Sequence, residues 1–271
     1  MTSSDAVAKA RRILGTRQIG HMGTLDPQGT GVLLLGVGKA TRLFDFYLGS
    51  DKEYIADFEF GYTTDTIDPE GKVTAVTTTI PAKQGILGAL DALAGTYGQM
   101  PPIYSAKSIN GVRAYDLARQ GKEPKLKPAQ ITVYRLELLE QVTDKKFKFL
   151  IHCSSGTYIR SIARDLALGL DSLACMTSIH RVRSGNFTDK TAVKLVQLEH
   201  LKDKGLVSVE DALASLERRD FADDLYQKIL DGIKLYTTAS DKPFTVYCRG
   251  ELFGIGKVVD GKLKIPTFLK D

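Results

Sequence analysis

Residues 52–62, KEYIADFEFGY, carry an apolar side chain at every second position from Tyr54 to Tyr62, and this pattern limits the fold more than any other part of the sequence. Successive side chains of a strand point to opposite faces, whereas a helix would scatter the apolar ones around its axis. The alternation therefore predicts a strand with one buried face, made by Tyr54, Ala56, Phe58, Phe60 and Tyr62.

The other periodic segments mix helices with strands. Helical spacing of apolar residues recurs at 4–14, 39–49, 83–94 and 157–170. Two further strand patterns form a candidate hairpin, and a short apolar run predicts a buried strand; these are 131–139, 146–154 and 32–38. No regular strand–helix–strand repeat follows, so we expect an α+β fold with a mixed, mostly antiparallel sheet and flanking helices.

The sequence changes character after about residue 190. Short helical patterns occupy 194–232, and short strands follow, with turn signals at Arg249-Gly250 and Asp260-Gly261. We therefore expect a main domain, a helical connector and a small C-terminal β domain, over residues 1–190, 191–241 and 242–271.

The composition is that of a globular protein and argues against several other classes. Hydrophobic residues make up 43% and charged residues 25% of the chain. We find no apolar run long enough for a membrane helix and no apolar signal core at the N-terminus, so we expect a cytoplasmic protein. Cys153, Cys175 and Cys248 are scattered, which favours buried thiols over a disulfide framework or a zinc site. The net charge of +5 permits a nucleic-acid partner without requiring one.

The stretch GHMGTLDPQGTG, residues 20–31, displays one carboxylate, Asp26, among four glycines. An Asp-Pro pair alone predicts a turn or a helix cap. The glycines favour a second interpretation, because they permit positive φ angles and close approach of another molecule. The loop also joins a helix to a buried strand that can aim it. Asp26 is therefore a candidate catalytic residue.

A second unusual stretch, residues 98–128, is long, irregular and rich in basic and aromatic side chains. Cations hold phosphates and aromatic faces stack on bases, so the stretch is a candidate RNA-binding insertion. The alternative is a solvated, disordered surface loop. Its basic and aromatic residues include Tyr104, Lys107, Arg113, Tyr115, Arg119, Lys122, Lys125 and Lys127.

Six segments, in the same order along the chain, resemble the TruB type of pseudouridine synthase. They are HMGTLDPQGTGVL (21–33), GKATRL (38–43), KEY (52–54), TDTIDPEG (64–71), PPIYSAKSINGVRAYDLARQG (101–121) and SSGTYIRSIARDL (154–166), with HRVRSGNF (180–187) as a looser match. The resemblance implies a pseudouridine-synthase sheet, with 98–128 as an RNA-clasping thumb insertion and a PUA-like C-terminal β domain.

The same resemblance implies an isomerase that converts uridine to pseudouridine in the T-loop of tRNA, at position 55. The reaction breaks the N1–C1′ bond, turns the uracil and rejoins it through C5. No redox step or net hydrolysis occurs, so we expect neither a cofactor nor a metal. The expected partner is the T-arm of tRNA, and we expect the enzyme to be a monomer.

The resemblance assigns catalysis to Asp26, with Arg160 pairing with its carboxylate and Tyr54 stacking on the flipped uracil or shuttling a proton. The sequence leaves open whether Asp26 attacks C1′ or assists elimination through a glycal-like intermediate. Without the resemblance, Tyr54 would be a core residue of its strand, and Arg160 would be a surface arginine paired with Asp165.

The substrate-binding residues follow in the same way. His21 matches a histidine that helps to extrude the target uridine, and Tyr158 matches a residue of the base-binding site. Val182 aligns loosely with an apolar residue lining that site. Lys107 and Arg119 are the expected phosphate contacts in the thumb insertion.

Two rival functions stay open at this point. One is the related RNA-guided class of synthase, which works inside a ribonucleoprotein with partner proteins. The other is a non-catalytic module that binds or folds tRNA. The short tail and compact thumb insertion favour a stand-alone enzyme, and the presence of Asp26, Tyr54 and Arg160 argues against a catalytically inactive protein.

Overall fold

The computed structural model describes residues 1–105, 108–109, 112–113, 120 and 126–270. Its helices alternate irregularly with strands, as the mixed periodicity predicts. In chain order, the α-helices of the described residues are α1 (Ser3–Leu14), α2 (Phe44–Leu48), α3 (Lys83–Ala89), α4 (Ile159–Leu168), α5 (Leu195–Leu201), α6 (Val209–Ala212) and α7 (Tyr226–Leu230). Short 3-10 helices occur at Gly38–Leu43, Leu90–Leu93, Lys202–Gly205 and Asp223–Leu225.

The strands vary from two to thirteen residues in length. In chain order they are β1 (Ile19–His21), β2 (Thr30–Gly31), β3 (Leu35–Val37), β4 (Lys52–Phe60), β5 (Tyr62–Thr64), β6 (Val73–Val76), β7 (Gly95–Gln99), β8 (Ser108–Ile109), β9 (Val112–Arg113), β10 (Ala129–Gln141), β11 (Lys146–Cys153), β12 (Ala174–Ser184), β13 (Phe187–Thr188), β14 (Glu217–Phe221), β15 (Phe244–Cys248), β16 (Glu251–Val259) and β17 (Lys262–Phe268).

The chain forms two compact units that do not follow its order. The first unit combines Met1–Thr24, Leu33–Tyr47 and Val193–Asp271, and the second combines Leu25–Val32 with Leu48–Ala192. The boundaries at 190 and 241 that the sequence suggests stay predictions.

The second unit is built on a seven-stranded sheet in the order β13-β12-β4-β11-β10-β7. Neighbours along this order are antiparallel, and β2 adds a short parallel pairing to β12. The strand with the alternating sequence, β4, lies in the interior of the sheet between β11 and β12. Its predicted inward residues are buried at Tyr54, Ala56, Phe58 and Phe60, whereas Tyr62 begins β5 and is only half-buried.

Helix α4 covers the buried face of this sheet. Its apolar stripe packs into one core with the inward side chains of β4, β10 and β11. Within that core the rings of Phe58 and Phe149 stack with their centroids 4.8 Å apart. Full burial of one such phenyl group stabilises the fold by about 2–3 kcal/mol, so this core fixes where α4 begins. That start matters because the first turn of α4 carries Arg160.

The first unit places α1 against β1, β3 and α5. Thr2 caps α1 through a reciprocal box with Asp5. The C-terminal strands form a separate sheet in the order β14-β15-β16-β17. Its two tight turns fall at Arg249-Gly250 and Asp260-Gly261, as predicted, and all four residues have positive φ.

Two features of the described residues bear on the class of protein. None of the helices there combines the length and the apolar composition needed to span a bilayer. The three cysteines are buried and unbridged, as the sequence predicts.

Candidate active site

Asp26 sits in the part of the glycine-rich loop that belongs to the second unit. The loop closes on itself, because the Gly29 amide donates to the Asp26 carbonyl at 2.8 Å. A Cβ at Gly29 would lie 2.8 Å from the Leu25 side chain and 3.0 Å from that carbonyl, so a larger residue would break the turn. The Asp26 side chain is 31% exposed, which leaves its carboxylate accessible to a ligand.

After Asp26 the chain pairs with β12 through Thr30 and Gly31. At Gly31 the neighbouring backbone of β12 requires glycine. Gly31 has a φ of +99°, and a Cβ on it would lie 2.2 Å from the Arg181 carbonyl. Side chains other than glycine are therefore excluded by both conformation and space. The sequence interpretation, that the glycine makes room for another molecule, does not account for this contact.

Arg160 binds the Asp26 carboxylate at two points. Its Nε lies 3.2 Å from Oδ2 and its Nη2 lies 3.3 Å from Oδ1. The arginine side chain is only 9% exposed, so water screens the pair weakly. A two-point contact fixes both the position and the plane of the carboxylate. The sequence resemblance predicts this pair, and the structure brings the two residues together.

The remaining donors of Arg160 are also occupied. Nη1 lies 3.3 Å from Oδ2 of Asp68 and donates to the Thr66 carbonyl at 2.9 Å, while Nη2 donates to the Tyr104 carbonyl at 3.2 Å. The guanidinium therefore joins the Asp26 loop, the turn after β5 and the segment that enters the 98–128 stretch. Such a fully bonded arginine has little freedom to turn away from Asp26.

Asp68 is the residue of this network that sequence reasoning missed. It is 5% exposed, and its Oδ1 accepts from the Thr66 hydroxyl at 2.6 Å and from the Glu70 amide at 3.1 Å. The preceding Ile67 has a φ of +61°, which is costly for a β-branched residue. The strained turn and these two hydrogen bonds together aim Asp68 at Arg160. The only signal in the sequence is its place in the TDTIDPEG segment.

Tyr54 lies on the buried face of β4 and is 8% exposed. Burial raises the pKa of its phenol to about 12; the nearby Arg181 guanidinium acts to lower that pKa, and the negative charge of Asp26 acts to raise it. The hydroxyl is therefore protonated at neutral pH and available as a proton donor. Its packing partners in the core include Ile179 of β12.

Tyr158 occupies the N-cap position of α4, two residues before Arg160, without a capping hydrogen bond from its side chain. Its backbone is fixed by Gln99, which donates to the Tyr158 carbonyl at 3.1 Å and accepts from the Tyr158 amide at 2.9 Å. Burial raises the pKa of the Tyr158 phenol, while Arg160 lowers it and Asp26 raises it. Tyr158 is thus within electrostatic range of both members of the central ion pair.

The remaining predicted site residues are His21, Val182, Lys107 and Arg119. His21 is in the first unit, where it ends β1 opposite Leu35 of β3. Val182 is half-buried, lies at the bulge of β12, and accepts from the Asp189 amide at 2.9 Å. Lys107 and Arg119 lie outside the described residues.

The arrangement provides a carboxylate with a fixed direction, an adjacent buried cation and two tyrosines within electrostatic range of that carboxylate. A directed carboxylate with one side open can act as a nucleophile or as a base towards a bound molecule. The tyrosines add flat surfaces and proton donors.

Comparison with known proteins identifies a family. Residues 11–159 match the model described as TruB family pseudouridylate synthase (N terminal domain). The chain is 35% identical over 279 residues to tRNA pseudouridine synthase B of Clostridium perfringens, covering 99% of this chain and 95% of the relative. It is 41% identical over 220 residues to the Syntrophotalea carbinolica protein of that name, covering 79% and 71%.

Solved structures show the same fold. A Cbf5-Nop10-Gar1 complex matches with a TM-score of 0.76 at 23% identity, covering 100% of this chain and 82% of that chain. An H/ACA RNP bound to a substrate RNA containing 2'-deoxyuridine matches with a TM-score of 0.73 at 22% identity, with the same coverage. These matches confirm the predicted α+β fold with its mostly antiparallel sheet.

Proposed function

This chain belongs to the TruB family of pseudouridylate synthases, and we propose that it isomerises uridine to pseudouridine in the T-loop of tRNA, at position 55. The relatives named tRNA pseudouridine synthase B support tRNA as the substrate. The observation that carries the proposal is the two-point contact of Arg160 with Asp26, in which the carboxylate is held but still accessible.

In the proposed reaction the target uridine first leaves the base stack, because its C1′ is out of reach within the folded RNA. The Asp26 carboxylate then acts at the sugar, either by attack on C1′ or by assisting elimination, and the N1–C1′ bond breaks. The uracil turns and C5 bonds to C1′, which in the attack route breaks the bond from Asp26 to C1′. The C5 proton then leaves and N1 takes up a proton. Substrate and product are isomers, so no atoms are gained or lost.

Arg160 has a positioning role in this scheme. The two-point contact with the buried guanidinium sets the direction of the carboxylate that the chemistry needs, and the second carboxylate, Asp68, holds the guanidinium in place. Tyr54 supports the detached uracil and supplies or accepts a proton through its hydroxyl. Tyr158 lines the same site beside the ion pair.

The remaining roles rest on the resemblance alone. We assign His21 to extrusion of the uridine, Val182 to the base-binding site, and Lys107 and Arg119 to phosphate contacts. We also propose that the enzyme is cytoplasmic and acts as a monomer.

The test is incubation of the purified protein alone with an unmodified tRNA transcript, followed by chemical mapping of pseudouridine. We expect conversion at position 55 without a guide RNA or a partner protein. A matched transcript with cytidine at position 55 should give no product. Absence of product at position 55, or product that appears only after a guide RNA is added, would contradict the proposal and favour the RNA-guided class.

A further inference from the structure

A second arginine, Arg181 of β12, is more deeply buried than Arg160. It is 2% exposed and is among the largest fully buried side chains of the described residues. Burying a guanidinium is costly unless its hydrogen bonds are satisfied. The burial of Arg181 therefore depends on the groups that its guanidinium binds.

Arg181 holds the strand that leaves the Asp26 loop. Its Nε donates to the Val32 carbonyl at 2.7 Å, and its own carbonyl accepts from the Val32 amide at 2.8 Å. Thr30 and Gly31 pair in parallel with His180 and Arg181. The side chain and the backbone of Arg181 thus both bind the segment 30–32, which follows Asp26 in the loop.

Arg181 is also the cross-strand partner of Tyr54. The two residues are opposite each other where β12 pairs with β4. Burial raises the pKa of the Tyr54 phenol, and the positive charge of Arg181 lowers it. A cation beside a phenol favours any state in which the hydroxyl has given up its proton.

We propose that Arg181 is a positioning residue that ties the Asp26 loop to Tyr54, so that the carboxylate and the phenol reach the nucleotide in a fixed mutual arrangement. This inference rests on the proposed pseudouridine synthase activity. Arg181 itself makes and breaks no bond. Its loss should therefore reduce the chemical step rather than the binding of tRNA.

The test compares Arg181→Met and Arg181→Lys with a matched control, Arg183→Met. Arg183 lies on the same strand, but it pairs with Asp51 at 2.9 Å and with Glu53 at 3.3 Å. We measure tRNA affinity and the single-turnover rate at saturating enzyme, using tritium release from C5 of the uridine. Arg181→Met should bind tRNA within about threefold of wild type and react about 100-fold more slowly.

The single-turnover rates of Arg181→Lys and of the control Arg183→Met should lie between those of wild type and Arg181→Met. Arg181→Lys keeps the charge but not the planar geometry, so we expect it to recover about tenfold of the lost rate. Arg183→Met should react within about threefold of wild type. A wild-type rate in Arg181→Met, or a rate loss equal to that of Arg183→Met, would overturn the proposal.

A second readout does not depend on turnover. Incorporation of 3-fluorotyrosine at position 54 makes the phenol more acidic and gives it a ¹⁹F signal that reports its titration. Arg181→Met should raise the pKa of this phenol above that in the protein that keeps Arg181, because a nearby positive charge is lost.

If Arg181→Met does not fold, Arg181→Lys decides: a rate loss with unchanged tRNA affinity supports the proposal, and a wild-type rate overturns it. An unchanged pKa in folded Arg181→Met would also overturn it.

Failure of the proposed function would look different. It would appear as absence of pseudouridine with the unsubstituted enzyme, before any variant is compared. An active wild-type enzyme with unaffected Arg181 variants would overturn the positioning role alone.

Discussion

Asp68→Asn tests whether the second carboxylate is needed to direct Arg160 at Asp26. The substitution keeps the size of the side chain, and the amide oxygen can still accept from the Thr66 hydroxyl and the Glu70 amide. What it removes is the negative charge 3.3 Å from Nη1 of Arg160. The amide group is also able to place its own donors against the guanidinium.

The distance between the Asp68 carboxylate and the Arg160 guanidinium sets the size of the expected loss in stability. At 3.3 Å and an effective dielectric constant of about 20, the Coulomb attraction is about 5 kcal/mol. Part of that energy offsets the desolvation of two buried charges, and Asp26 still compensates the arginine. We therefore expect a loss of about 3 kcal/mol in the free energy of unfolding. Misdirection of the guanidinium should slow the chemical step about 100-fold, equivalent to about 2.7 kcal/mol.

The assay measures three quantities on one preparation: urea unfolding, tRNA affinity and single-turnover tritium release. Asp65→Asn is the matched control. Asp65 belongs to the same turn, and its carboxylate accepts from the Lys72 amide at 2.9 Å, a bond that an asparagine oxygen can also accept. We expect wild-type turnover from Asp65→Asn and unchanged tRNA affinity in both variants.

Two results would refute the reasoning. One is a folded Asp68→Asn protein with wild-type turnover, which would show that Arg160 keeps its direction without the second carboxylate. The other is an equal loss of turnover in Asp65→Asn, which would show that the integrity of the turn, rather than the charge of Asp68, is what matters.

Two further predictions concern lysines. Burial, reinforced by the Arg181 charge, lowers the pKa of Lys52 to about 8 from 10.5. Between about pH 8 and 10.5 the unfolded state therefore binds more protons at Lys52 than the folded state does, so the free energy of unfolding should rise with pH, by at most about 1.4 kcal/mol per pH unit. Urea unfolding measured across this range should give a different pH dependence for wild type and for Lys52→Gln. Parallel curves would contradict the shift. The second prediction concerns Lys122, Lys125 and Lys127 of the thumb insertion. Replacing all three with Ala should weaken tRNA binding and flatten its salt dependence, with little change in the single-turnover rate at saturation. An unchanged salt dependence would show that these lysines do not contact the RNA.

The parts of the fold that the sequence predicts are those whose side chains follow one simple rule. Strand β4 carries an apolar side chain at every second position from Tyr54 to Phe60, and the structure buries these four side chains. The hairpin of β10 and β11 and the helix α4 also show plain periodicity, and both are present. The turns of the C-terminal sheet follow from residues that tolerate positive φ.

Strand β12 shows why other parts could not be predicted. It pairs extensively with β4, but two register shifts interrupt the pairing, between Met176 and Ser178 and between Arg181 and Arg183. Bulges break the alternation of side chains on which strand prediction depends. The buried Arg181 adds a charge on the inward face, where the pattern requires an apolar residue.

The candidate site divides in the same way. The contact of Asp26 with Arg160 follows from the resemblance, because each residue lies in a recognisable segment. The role of Asp68 does not follow, although the residue lies in the matched TDTIDPEG segment, because an acid in a turn-rich segment ordinarily lies at the surface. Only the strained backbone at Ile67 and the packing of α4 bring it to Arg160. Such convergence of distant segments leaves no periodic trace in a sequence.

The most direct test of the central claim is the pseudouridine yield of Asp26→Asn, measured with tRNA affinity on the same preparation. Asparagine caps turns about as well as aspartate, so a structural role would be preserved. If the carboxylate is the catalyst, the variant should fold, bind tRNA with near-native affinity and lose turnover by several orders of magnitude. A wild-type yield of pseudouridine from folded Asp26→Asn would contradict the proposed mechanism.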